Sequence, residues 1–141
     1  QANYSAAKLA LVGFGQTLAL EGKKRNIKVN MIAPAADSCM TATVMPGPIR
    51  EKLKPEYVSP LVVLLCSEEC PTTGVTFEVG AGVFFRQAGY RSKGAALSIM
   101  GAAPTADDVL ARWGEITDLS SPASAESVQD SMQMIMKNIS S

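Results

Sequence analysis

The feature that most narrows the fold lies near the start of the chain, in NYSAAKLALVGFGQTLALEG, Asn3 to Gly22. Leu9, Leu11, Val12, Phe14, Leu18 and Leu20 fall on more than one face of a helix, so this helix is expected to be covered on two sides. Gly22 ends it, and Lys23, Lys24, Arg25 and Asn26 read as a solvated turn whose charges suit a helix C-terminus. IKVNMIAP then alternates, carries β-branched residues and stops at Pro34, which predicts a strand over 27–34. Residues 35–54, rich in Ala, Ser, Pro and Gly, read as loop. KPEYVSPLVVLLCSEE predicts a second helix, beginning at Pro55 or, because Pro60 removes a donor, at Ser59. VTFEV predicts a buried strand closed by Gly80, Ala81 and Gly82. Helix, strand, helix, strand is the order of a parallel α/β sheet with helical crossovers. Two strands do not make such a sheet alone, so further strands are expected from outside this sequence.

Beyond Val83 the periodic signal weakens, which divides the chain into residues 1–85 and a mainly helical extension over 86–141. TADDVLARWGEI predicts a short helix with Thr105 as N-cap and Asp107 and Asp108 favouring its N-terminal dipole. A last amphipathic helix is expected from near Ser124. Trp113 and the cluster Met132, Met134, Met136 read first as packing surface.

Composition removes several classes of function. Thirteen basic residues balance thirteen acidic ones, with no Lys/Arg stripe, so neither nucleic acid nor an anionic membrane is an expected partner. Histidine is absent, which excludes a Ser-His-Asp or Cys-His pair and any His metal ligand within these residues. Cys39, Cys66 and Cys70 lack CxxC spacing, and Cys66 and Cys70, one helical turn apart, read as buried structural thiols rather than a metal pair. No metal site is expected. No apolar run approaches the ~20 residues that span a bilayer. No secretory signal or C-terminal address is visible either, and the chemistry must come from elsewhere.

One pair stands out. Tyr4 and Lys8 are four apart, so on a helix they project from one face. A phenol, with a pKa near ~10, is a poor base at neutral pH, and a neighbouring ammonium favours its ionised form. Such a pair suits proton exchange with a substrate hydroxyl, and the small residues Ser5, Ala6 and Ala7 let a ligand approach. By spacing alone the pair reads first as an ordinary helix surface. Context supplies the rest. Asn3-Tyr4-Ser5-Ala6-Ala7-Lys8, followed by Asn30, Pro34, Gly74 and Val79-Gly80-Ala81-Gly82, resembles the C-terminal half of a short-chain dehydrogenase/reductase. GQTLALEGKKRNIKVNMIAPAADSCMT, LKPEYVSPLVVLLCSE and FEVGAG resemble, within that family, the (3R)-hydroxyacyl-CoA dehydrogenases of peroxisomal fatty-acid β-oxidation.

The resemblance implies half of a Rossmann-like doubly wound sheet, with NAD as cofactor and an acyl-CoA as substrate. It implies that Tyr4 is the general base and that Lys8 favours its ionised form while holding the nicotinamide ribose. It places Pro34, Ala35, Ala36, Asp37 and Ser38 around the nicotinamide amide, with Cys39 and Thr41 nearby. Met40 and Met45 fall in a substrate loop closing over the acyl chain. Peroxisomal residence is likewise implied. Where relatives tend to carry a glycine and a basic residue, this chain has Asp37 and Cys39, and an added carboxylate is expected to weaken binding of a pyrophosphate. The family's Gly-rich dinucleotide turn, its acidic NAD selector, a helix asparagine and a substrate-orienting serine cannot be placed on these residues. The expectation is therefore that the chain alone is inactive, because a Rossmann site binds its dinucleotide through that turn. The partner expected for the first helix is a second copy, in a homodimer, or the other half of the domain. A steroid or other alcohol as substrate, and a non-catalytic interaction module, remain the alternative readings. Glu78, inside a predicted strand, needs a partner that no pattern names.

Overall fold

A computed structural model of the chain describes residues 1–39, 41–43, 45–97, 103–124 and 127–139, with the side chain of residue 139 left aside. It divides into two compact units, Gln1–Gln87 and Ala88–Ser141.

The first unit is α/β. Helix α1 (Ala2–Gly22) runs into a 3-10 turn at Lys23–Arg25, which ends where Asn26 turns left-handed with φ 54°. Strand β1 (Met31–Ala35) follows, then a 3-10 turn at Thr41–Thr43, the short helix α2 (Gly47–Arg50) and another 3-10 turn at Pro55–Tyr57. Helix α3 (Ser59–Cys66) leads to β2 (Thr76–Gly80) and β3 (Val83–Gln87). The second helix therefore starts at Ser59, with Pro60 in its first turn where a missing N–H costs nothing. It stops at Cys66, where the Ser67 hydroxyl donates to the Leu64 carbonyl. Residues 35–54, expected as loop, hold one short helix.

The three strands pair in the order β1-β2-β3. β1 and β2 are parallel, Met31 opposite Thr76 through Ala35 opposite Gly80, as the helix-strand alternation predicts. β1 differs from its expected span by beginning at Met31 and continuing past Pro34. Alternation explains why proline is tolerated. The Met31 amide donates to Val75, so the Pro34 nitrogen, three residues on, points away from β2 toward the open edge. The residues expected to open the strand are tied to the β2 side differently. Thr73 accepts from the Val29 amide, Asn30 donates to the Thr72 carbonyl and accepts from the Val75 amide, and Lys28 donates to the Cys70 carbonyl. Cys70 is buried against Asn30 as expected, whereas Cys66 is exposed.

β3 is a strand that the weak periodic signal beyond Val83 did not predict. It is antiparallel to β2, Gly80 opposite Val83, joined through Ala81 and Gly82 alone. Both loop residues have positive φ, 51° and 79°, the conformation a two-residue hairpin of this hand demands. Glycine adopts it freely; alanine does so under strain.

Among the described residues the buried ones are few: Gly15, Ala19, Gly22, Leu61, Cys70, Thr76 and Val79. β2 is thus only partly the buried strand expected, since Glu78 is exposed. α1 lies close to the sheet at Gly15, where a Cβ would fall 2.2 Å from Met31 Sδ. The two-sided cover expected for α1 is not present in the single chain. Leu9, Phe14 and Leu20 are 71%, 62% and 55% exposed.

The second unit holds a two-stranded antiparallel ladder, β4 (Tyr90–Arg91) with β5 (Ala123–Ser124), and helices α4 (Ala106–Ala111), α5 (Trp113–Thr117) and α6 (Val128–Ile139). Thr105 caps α4 as expected, in a reciprocal box with Asp108. The single helix expected over 105–116 is broken at Arg112, and α6 starts at Val128, not near Ser124, because Ser124 is committed to the ladder. Ser127 accepts from the Asp130 amide at its start. Trp113, Met132 and Met136 are more than half exposed, so none is core in this unit. Among the described residues no helix is long and apolar enough to cross a membrane.

The hairpin yields a stability test. Ala81→Asn, which accepts left-handed backbone and completes an Asn-Gly turn, should stabilise the chain by about 0.5–1 kcal/mol. Gly82→Ala should destabilise it by about 1–2 kcal/mol. Urea midpoints at constant slope measure both, and unchanged midpoints would remove the strain argument.

Candidate active site

Tyr4 and Lys8 occupy the first two turns of α1, with no proline or β-branched residue between them to disturb the i, i+4 alignment. Lys8 Nζ stands 5.5 Å from the centroid of the Tyr4 ring, a cation over an aromatic face. Tyr4 is 57% exposed. The Lys8 ammonium makes no hydrogen bond or ion pair among the described residues, so its three donors are available to a ligand.

Both residues line a cleft of about 530 Å³ between α1 and the sheet. Leu11 and Val12, three and four residues beyond Lys8 and so one turn further along the same face, form its apolar flank. Pro34 and Ala35 come from the end of β1, Thr76 and Glu78 from β2, and Gln87 from β3. The structure thus brings together Tyr4, Lys8, Pro34 and Ala35 of the residues predicted for the site. Ala36 lies instead on an apolar cleft of about 510 Å³ with Pro34, Val58 and Val62. Cys39 is exposed, Met45 is 36% exposed, and Met40 lies outside the described residues.

Asp37, Ser38 and Thr41 form a separate polar knot. Arg50 of α2 reaches back to Asp37 with both arms of its guanidinium, Nε to Oδ1 at 2.7 Å and Nη2 to Oδ2 at 3.2 Å. Thr41 donates to Asp37 Oδ1 at 3.1 Å, and the Ser38 amide donates to Thr41 Oγ1 at 2.7 Å. Hydrogen bonds from Arg50, then from Thr41, hold the Asp37 carboxyl below the usual carboxylate range, and Asp37 in turn raises the Arg50 guanidinium. This changes the expectation for Asp37. Its charge is not bare but matched by a bidentate partner.

Two participants were not legible as such. Glu78 finds its partner across the hairpin in Gln87, whose amide donates to Oε2 at 3.1 Å. The two-residue turn between apolar β-formers was the signal that could have revealed β3 and hence this pair. Arg50 carries no such signal, since it lies thirteen positions beyond Asp37, outside the reach of any helix or strand spacing.

Residues 1–54 match the short chain dehydrogenase family. That segment, α1 through α2, belongs to the family. It is 47% identical over 131 residues to the mouse peroxisomal multifunctional enzyme type 2, covering 93% of this chain and 18% of the mouse protein. It is 42% identical over 142 residues to a peroxisomal hydratase-dehydrogenase-epimerase of Neurospora crassa, covering 99% of this chain and 16% of that protein. Among solved structures, full-length peroxisomal multifunctional enzyme type 2 of Drosophila melanogaster superposes with a TM-score of 0.84 at 30% identity, over 97% of this chain and 25% of that one. The chain therefore spans less than a fifth of the two curated relatives named here. These short-chain dehydrogenase residues have the Rossmann-like α/β character expected of the family.

The Asp37–Arg50 pair has a pH signature. A carboxyl whose folded pKa is depressed adds stability above its unfolded value, about 3.9, and loses it as pH falls through the lower folded value. The stability gap between the unmutated chain and Asp37→Asn should thus be constant from neutral pH to about 5 and close below about 4. Urea midpoints across that range test it; a gap that persists unchanged in acid would mean the carboxylate charge is irrelevant.

Proposed function

We propose that this chain is the catalytic-base portion of an NAD-dependent (3R)-hydroxyacyl-CoA dehydrogenase of peroxisomal fatty-acid β-oxidation. The observation that carries the reading is the Lys8 ammonium over the Tyr4 ring at the mouth of the α1–sheet cleft. The names of its relatives, a multifunctional enzyme and a hydratase-dehydrogenase-epimerase, both peroxisomal, support the reaction class and the compartment.

In this reading Tyr4 Oη accepts the proton of the substrate 3-hydroxyl as the O–H bond breaks. The accepting form of Tyr4 is the phenolate, whose negative charge Lys8 offsets until the proton arrives, and the Lys8 donors hold ribose hydroxyls. Pro34, Ala35 and Ala36, with no side chain larger than a proline ring, leave room for a flat ring against the end of β1. A nicotinamide bound there supplies the acceptor for the hydride that leaves C3 as its carbonyl forms. Asp37, Ser38, Cys39 and Thr41 form the wall beyond it, and Met45 belongs to the segment facing the acyl chain, for which an adaptable thioether side chain is suited.

The chain is half of a larger sheet in this reading. The edge of β1 that carries the Pro34 nitrogen is open, and a further strand there would complete the doubly wound order. The dinucleotide-binding turn belongs to that other half, so the isolated chain does not turn over. Joined to a family first half, it should oxidise a (3R)-hydroxyacyl-CoA with NAD, and Tyr4→Phe should lower kcat by about 10²–10⁴. Nicotinamide absorbance measures both. Turnover by the isolated chain, or full activity of Tyr4→Phe in the completed domain, would overturn the reading.

A second reading, an interaction module, is favoured by the exposed apolar residues of α1. Leu9, Phe14 and Leu20 uncovered on one helix predict association, either with a second copy or with the other half of the domain. Light scattering at micromolar concentration should give at least a dimer. A clean monomer would count against α1 as an interface between copies.

A further inference from the structure

Asp37 is the meeting point of more connections than its place in the loop requires. Its carboxylate takes both arms of Arg50 and the Thr41 hydroxyl, while its backbone amide donates to the Leu53 carbonyl at 2.6 Å. Residue 37 is therefore tied to residues 41, 50 and 53, drawing together the two ends of the segment that follows β1. Between those ends the chain supports itself. Thr41 and Ser38 exchange bonds, the Ala42 amide donates to Ser38 and the Met45 amide to Thr41. On the far side the Arg50 amide donates to Pro46 and the Leu53 amide to Arg50. A short loop with joined ends and internal bonds behaves as one body hinged at its neck. What closes this neck is one backbone bond and one ion pair.

We propose that Asp37 and Arg50 are positioning residues that clip the neck of this segment shut, so that it stands preformed at the end of β1 before any ligand arrives. Both side chains are about a third exposed, where a single surface ion pair holds little. The fork geometry and the added Thr41 bond set this one apart, because a planar guanidinium satisfies both carboxylate oxygens at once. Lysine in place of Arg50 keeps the charge and loses the fork. The bearing on catalysis rests on the dehydrogenase reading; the clip itself does not.

Hydrogen exchange on the full chain at neutral pH tests it, read at the amides of Asp37, Ala42, Met45 and Leu53 against those of Met31 and β2. In Arg50→Met and Asp37→Asn the first group should exchange about three- to tenfold faster while the second is unchanged. Arg50→Lys should keep only part of the protection. The exchanged pair D37R/R50D should recover most of it. High salt on the unmutated chain should loosen the same amides, which keeps the test sharp if a variant fails to fold. Unchanged exchange in Arg50→Met, or an equal rise in β1 and β2, would overturn the clip. Because no turnover is measured, failure of the dehydrogenase reading in the completed domain would leave this result standing, and the reverse.

Discussion

The parallel pairing of Met31–Ala35 with Thr76–Gly80 is the constraint on which the first unit depends. It joins segments more than forty residues apart, and it brings Pro34 and Ala35 of one strand and Thr76 and Glu78 of the other to the same cleft. Parallel strands need a crossover, and α3 supplies it; the bonds that Lys28, Asn30 and Val29 make to residues 70–75 fix where the returning chain enters. Register follows from that anchoring. A slip of one residue would turn Thr76 and Val79, both buried, to the opposite faces of β2. The seam at Gly15 then sets how closely α1 approaches, since any side chain there would meet Met31.

What was legible in the sequence was what local spacing encodes. The i, i+4 placement of Tyr4 and Lys8 is a property of any helix, and the uninterrupted helix formers around them left little alternative. Thr105 with Asp108 three residues on is a cap read directly from residue type. What was not legible depended on pairing across distance. β3 is uniformly exposed, so Val83–Gln87 shows no inward-outward alternation for a period-based reading to find. Lys28–Asn30 has the composition of a strand, but its polar groups bond to loop atoms, and the ladder begins only where Met31 meets Val75. The Asp37–Arg50 pair joins positions thirteen apart, one in a loop and one on α2, and no spacing rule reaches across that.

The same distinction separates the candidate residues. Those on regular elements, Tyr4 and Lys8 on α1 with Pro34 and Ala35 on β1, converge on one cleft because helix and strand geometry carry them there. Those in the following loop do not line it; they bond one another and Arg50. The loop residues thus owe their positions to side-chain chemistry particular to this chain. Asp37 would carry an unmatched charge if Arg50 were not extended back to it.

Exposure of α1 and openness of the β1 edge express one physical fact. A helix with exposed apolar residues leaves a surface that water solvates poorly, and a strand at a sheet edge leaves backbone groups that a further strand can pair. Both lie on the first unit, and both would be relieved by added sheet and helix of the kind an α/β layer supplies. Tyr4 and Lys8 stand beside the same uncovered region, which is why the phenol is more than half exposed. A base in open water gains little from its neighbour, because a charge a few ångströms away is felt several times more strongly once solvent is excluded. Any layer that covered the helix and paired with the strand would thus also strengthen the electrostatic coupling between Lys8 and Tyr4.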